Sequence, residues 1–196
     1  MKIPKLPGIY ELTHNSERRS VQNMSELFKV PQTPTTLFNH TPDQALLAYK
    51  GGDAWVINDS LRRGVELDDF NKSIVRGLDK KLDSLPRYSE PTFRSYTFTD
   101  REELEEFVKM HQVGKTVEYP AYTSSAKTPY AYHQPNGSGM QALIKINGRS
   151  GRDMASIEEG SNAEQEVLFG RNSRFKVKRF GYSPQAKTYF GEMDEI

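Results

Sequence analysis

The 196-residue chain carries 27 basic and 26 acidic residues, a net charge of +1, and 35% apolar residues. That suffices for one domain with a core, while so even a charge disfavours nucleic-acid or membrane-surface binding, and no apolar run reaches membrane length. Cysteine is absent and the four histidines (His14, His40, His111, His133) lack metal-ligand spacing, which argues against disulfides, thiolate chemistry and a metal centre.

Residues 1–38 hold four prolines and little periodicity, so they read as an N-terminal arm or linker, with a weak helical signal from Val21 to Phe28. The remaining 39–196 read as one domain. Met1 to Gly8 lacks the apolar core of a cleavable signal, which points to action in a cytosol reached, if need be, by another route. Thr41-Pro42-Asp43-Gln44 predicts a helix start, with Thr41 as cap and Pro42 at the first position. That helix should stop at Gly51-Gly52. A second helix is predicted from Asp68 to Ser84, where Phe70, Ile74, Val75, Leu78 and Leu82 recur at helical spacing and Pro86 follows.

Thr92 to Phe98 reads as a strand, and Thr99-Asp100-Arg101-Glu102 as a capping box for a helix through Leu104 and Phe107, closed by Gly114. From there the signal is mostly strand: 116–119, 121–125, 140–146, 166–169, 174–180 and 187–191, separated by Gly, Pro, Asn and Ser clusters. Helices first and strands later predict an α+β fold with a largely antiparallel, two-sheet core.

Ser161-Asn162-Ala163-Glu164-Gln165-Glu166-Val167-Leu168-Phe169 sets two carboxylates one residue apart at the mouth of an apolar strand. Alternation would put Glu164 and Glu166 on one face, where like charges repel unless something binds there. Upstream lie an aromatic segment centred on Arg94 (Phe93-Arg94-Ser95-Tyr96) and a strand-like run into hydroxyl residues (Tyr122-Thr123-Ser124-Ser125-Ala126).

In that order the three motifs resemble the Arg-Ser-Glu class of mono-ADP-ribosyltransferases, particularly bacterial toxin domains that modify arginine, over residues 70 to 182. Two positions depart from the family pattern: its third hydroxyl is replaced by Ala126, and its frequent Gly after the arginine by Ser95. The resemblance implies an ADP-ribosyltransferase fold built around an NAD cleft, with NAD as substrate and no metal. It implies that Glu166 binds the ribose and faces the developing cation, that Ser124 fixes the Glu166 carboxylate, and that Arg94 holds the pyrophosphate. Ser95 would lie against NAD, and Tyr130 and Tyr132 are candidates to stack on nicotinamide. Glu164 would orient and deprotonate a target arginine, since members with Glu there modify arginine.

The polar stretch from Gly148 to Ala163 suits a loop that closes over NAD and presents a target-recognition surface. The implied partners are NAD, a target protein presenting arginine and, for an effector acting between bacteria, a cognate immunity protein. The implied setting is a secreted effector working in the cytoplasm of a target cell. Three rival readings stay open at this level: an NAD glycohydrolase using water as acceptor, a non-catalytic binding module on the same fold, and a nucleic-acid-modifying transferase, against which the near-neutral charge and Glu164 both count.

Overall fold

The computed structural model describes residues 38–131, 134–154 and 165–196. The predicted helical signal at Val21 to Phe28 lies outside these residues. Helix α1 (Pro42–Ala48) starts as predicted: Gln44 N donates to Thr41 Oγ1 at 3.3 Å while Thr41 N donates to Gln44 Oε1 at 3.0 Å. Gly51-Gly52 is not the stop the sequence suggested. The chain makes a π-helical turn, Tyr49–Asp53, and resumes as helix α2, Ala54–Arg63, which ends at a left-handed Gly64. The kink falls at Gly52, whose φ of 135° is open to glycine and strained for other residues.

Helix α3 (Asp69–Ser84) is capped by Asp68, whose Oδ1 accepts from Asn71 N at 2.8 Å. Its apolar stripe, Ile74, Val75, Leu78 and Leu82, packs with Ala45, Leu46 and Ile57 of the preceding helices. Helix α4 (Arg101–Met110) is capped by Asp100 rather than Thr99, the Asp100 carboxylate accepting from Glu102 N at 2.7 Å. Its C-cap is His111, and Gly114 turns the chain three residues later at φ 86°.

The strands are β1 (Thr92–Thr97), β2 (Thr116–Tyr119), β3 (Thr123–Ala126), β4 (Gln141–Asn147), β5 (Arg152–Asp153), β6 (Glu166–Phe169), β7 (Ser173–Ser183) and β8 (Thr188–Glu195). They pair in the order β2-β7-β8-β4-β1-β3-β6-β5, every pair antiparallel except β4 with β8. The join between β1 and β3 is a single registered pair, Phe93 with Ala126, whereas β1 and β4 share six pairs. Two half-sheets therefore diverge from that point: β2-β7-β8-β4-β1 on one side and β3-β6-β5 on the other. The α+β class and the largely antiparallel pairing are those the residue pattern predicted, with the described strands joined in a single eight-stranded sheet whose two halves meet at that pair.

Alternation along β6 shows how the core divides. Leu168 packs in the cluster with α1, α2 and α3, while Val167 and Phe169 join Ile144, Ile146, Phe175, Val177 and Met193 in the second cluster. The helices thus cover one face of the β3-β6 pair, and the second cluster lies on the other.

Candidate active site

Register fixes which side chains share the helix-covered face. Ser124 pairs with Leu168 and Ala126 with Glu166, so Ser124 and Glu166 are diagonal neighbours on the face that carries Leu168. Phe93 pairs with Ala126, which puts Ser95, two residues on, on that face as well. Glu166 is half-buried and its carbonyl accepts from Met154 N at 2.9 Å, so its backbone is held on both sides. The hydroxyl of Ser125 points the other way, donating to Val167 O at 3.0 Å.

Arg94 belongs to the opposite parity of β1, yet it reaches the junction. Where β1 and β3 separate, Arg94 Nη1 donates to the carbonyl of Ser124 at 2.5 Å. The guanidinium also lies over the Tyr96 ring, with Cζ 5.0 Å from its centroid. Its Nε is buried and has no hydrogen-bond partner among the described residues. Burial disfavours the charged form, but the phenols of Tyr96, Tyr119 and Tyr49 more than offset this and raise its pKa, so Arg94 stays a cation. Arg94 therefore holds a buried N–H at the strand junction that no described acceptor meets, a group that costs stability while it stays unpaired.

Tyr49 and Asn58 were not singled out by the sequence reading. Tyr49 sits in the π turn, buried, with its ring 5.3 Å from that of Tyr122, edge to face. Asn58 Nδ2 donates to its hydroxyl at 2.8 Å, and the Asn58 Oδ1 is buried without a partner among the described residues. Burial pushes the Tyr49 phenol up to about 12; the Asn58 bond lowers it, the Glu166 carboxylate raises it and Arg94 lowers it. The phenol therefore lies within electrostatic reach of both Arg94 and Glu166, one from each half-sheet. The pair sits on either side of the Gly52 kink, so the only sequence signal was the glycine doublet itself.

Behind Tyr122 lies a further anchor. Its hydroxyl donates to Asp79 Oδ1 at 2.5 Å, and Asp79 also takes Arg171 Nη2 at 2.5 Å. Ser95, Tyr130 and Pro135 line a small cavity together, so the loop after β3 returns over Ser95, and Tyr130 adopts a left-handed φ of 62°. Glu164 and Tyr132, and most of the loop expected to close over NAD, lie outside the described residues. Gln165, between the two glutamates, takes φ 43°, so regular strand geometry begins at Glu166. A cavity of about 440 Å³ lies at the other end of β6, lined by Arg152, Arg171 and Asp79 among others. Arg171 is paired with Asp79 and Arg152 with Asp83 at 3.6 Å, so its charges satisfy one another away from Glu166. Among the described residues no group of three or more His, Asp or Glu could hold a metal, and no helix is long and apolar enough to cross a membrane.

Helices laid over a β-sheet that splits beside an arginine, a serine and a glutamate on neighbouring strands are the architecture of ADP-ribosyltransferases. The ADP-ribosyltransferase exoenzyme family matches this chain over residues 35–190, and the chain belongs to that family. It is 31% identical over 134 residues to Exoenzyme T of Pseudomonas aeruginosa, a match covering 68% of this chain and 28% of that protein. The chain thus spans little more than a quarter of that relative. Among solved structures it resembles Exoenzyme S from Pseudomonas aeruginosa, captured with human 14-3-3 protein beta and carba-NAD, at TM-score 0.62 and 21% identity over 85% of this chain and 78% of that one. The Vis toxin of Vibrio splendidus, an ADP-ribosyltransferase also seen with agmatine, aligns at TM-score 0.61 and 17% identity over 98% of this chain and 88% of that one. These structural likenesses bear on the fold.

Proposed function

We propose that residues 39–196 form the catalytic domain of a secreted bacterial effector that transfers ADP-ribose from NAD to an arginine of a target protein. The observation that carries this reading is the junction itself: Arg94 on one half-sheet and Ser124 and Glu166 on the other converge where a single pair joins them. In the proposed reaction the C–N bond between ribose and nicotinamide breaks, nicotinamide leaves with the bonding electrons, and the ribose carbon becomes cationic. Glu166 supplies negative charge beside that cation, the Ser124 side chain steadies its carboxylate, and the Arg94 guanidinium donates to the pyrophosphate. A target guanidine nitrogen then attacks and loses its proton to Glu164. Ser95 lies against the dinucleotide, and Tyr132 and Tyr130 border the nicotinamide.

Arginine as acceptor is supported by Glu164 and by the agmatine complex of the Vis toxin, agmatine being a small guanidine. The experiment follows nicotinamide release and agmatine labelling on one preparation. Glu164→Gln should lose agmatine modification by about 10²-fold or more while keeping most of the NAD hydrolysis, because water needs no base matched to a guanidinium. If both activities fall together, Glu164 supports the whole site and the acceptor is not assigned by it. If the unmodified protein releases nicotinamide but labels no guanidine, the enzyme is a glycohydrolase.

A further inference from the structure

His111 is 1% exposed, and its ring stacks on Phe107 with centroids 3.8 Å apart, in an aromatic nest closed by Phe180 at 5.9 Å. A polar ring buried among phenylalanines costs stability unless both nitrogens are used. Both are: Nδ1 is 2.8 Å from Phe107 O, and Nε2 is 3.0 Å from the Tyr119 hydroxyl. From Tyr119 the contacts continue to the Tyr96 hydroxyl at 3.1 Å, and the Tyr96 ring carries the Arg94 guanidinium.

The chemistry of the two ends fixes the direction of every bond between them. A carbonyl only accepts, so Nδ1 bears the proton and Nε2 of the neutral ring is an acceptor. Tyr119 therefore donates to His111. Its own oxygen is then free to accept, so Tyr96 donates to Tyr119. With its proton committed away, the Tyr96 oxygen has only lone pairs left to offer Arg94, which can only donate. Burial lowers the His111 pKa, its first cause, although the bond to Phe107 raises it; burial likewise holds the Tyr119 phenol well above its ordinary range. Both shifts preserve the neutral, ordered chain.

We propose that His111 is a positioning residue for dinucleotide binding: through Tyr119 and Tyr96 it orients the guanidinium of Arg94 from the C-terminal end of helix α4. This rests on the reading of Arg94 as the pyrophosphate ligand. The chain links helix α4 and edge strand β2 to the cleft, so a side chain remote from the chemistry sets the affinity for NAD.

The test compares three variants by calorimetric Kd for NAD and by steady-state hydrolysis. His111→Phe keeps the stack and removes the acceptor, leaving the Tyr119 hydroxyl without one. It should raise the Kd and KM for NAD about fivefold or more, with kcat at saturating NAD within about twofold. His111→Gln sets an amide oxygen near the Nε2 position and should restore the affinity to within about twofold. A His111→Phe protein that binds NAD as tightly as the parent overturns the proposal, as does a His111→Gln protein as weak as His111→Phe, since that would mark a packing effect. Arg94→Lys separates the two levels. If it leaves Kd unchanged, the reading of Arg94 itself fails; if it weakens binding while His111→Phe does not, only the role of His111 fails.

Discussion

At the scale of single residues, position in the register decides more than residue type. Glu166 is one of many glutamates in the chain, but it alone among the described ones shares the helix-covered face of β3-β6 with Ser124 and lies within electrostatic reach of Tyr49. Glu166→Gln keeps the shape and removes the charge, so both transfer and hydrolysis should fall by about 10²–10³-fold, the usual loss when one such group is deleted. Folded Glu166→Gln protein that releases nicotinamide at the parent rate would sink the mechanism. His111 yields a stability prediction separable from catalysis. Its folded pKa is lowered, so the neutral ring's contribution is fully present above the ordinary histidine value of about 6.5 and is lost as pH falls through the lowered one. Urea midpoints of the parent should therefore drop between about pH 7 and pH 5 by more than those of His111→Gln, whose side chain does not titrate. Equal drops would mean that the imidazole is not held neutral by its burial.

At the scale of elements, a close approach against backbone joins α1 and α3. A Cβ built on Gly77 would lie 2.5 Å from Ala45 Cβ and 3.1 Å from His40 O, so the helices cross at a separation that only glycine allows. Two effects oppose each other in Gly77→Ala. Helix propensity favours alanine by about 1 kcal/mol. Overpacking against backbone and a Cβ costs about 1–3 kcal/mol, so a net loss of up to roughly 2 kcal/mol should appear as a fall of up to several degrees in Tm. A higher Tm would show that α1 moves aside freely.

The same elements show what could be read in advance. The strand at 116–119 falls where patterning put it because one face is buried and the other wet, and that at 166–169 because its apolar run is buried on both faces. Helix α2 was missed because Gly51-Gly52 reads as a terminus, whereas the π turn with Gly52 at φ 135° lets the chain re-enter a helix. With it were missed Asn58 and its bond to Tyr49. Strand β5, two residues long, has no periodicity to detect. Arg94 was identified by its aromatic neighbours and motif order. Its contact with the Ser124 carbonyl depends on where two strands part, a tertiary event that no local pattern encodes.

For the molecule as a whole, residues 38–196 form one compact unit whose sheet is weakest at its functional point. One registered pair and the Arg94–Ser124 bond span the two half-sheets there, against eight registered pairs between β7 and β8. A ligand held by Arg94 on one side and by Glu166 on the other would tie the half-sheets together. It would bind the folded state only, since the unfolded chain has no such convergence. At 100 times its Kd such a ligand stabilises the fold by about 2.7 kcal/mol. A non-hydrolysable NAD analogue should therefore raise Tm by several degrees, in proportion to the logarithm of its concentration. Arg94→Lys should reduce that rise, because an ammonium replaces one donor of the guanidinium fork and forfeits the geometry of the other. Adenosine monophosphate, lacking the pyrophosphate and the second ribose, should give little of it at equal concentration. If the analogue leaves Tm unchanged at millimolar concentration, the junction does not bind the dinucleotide.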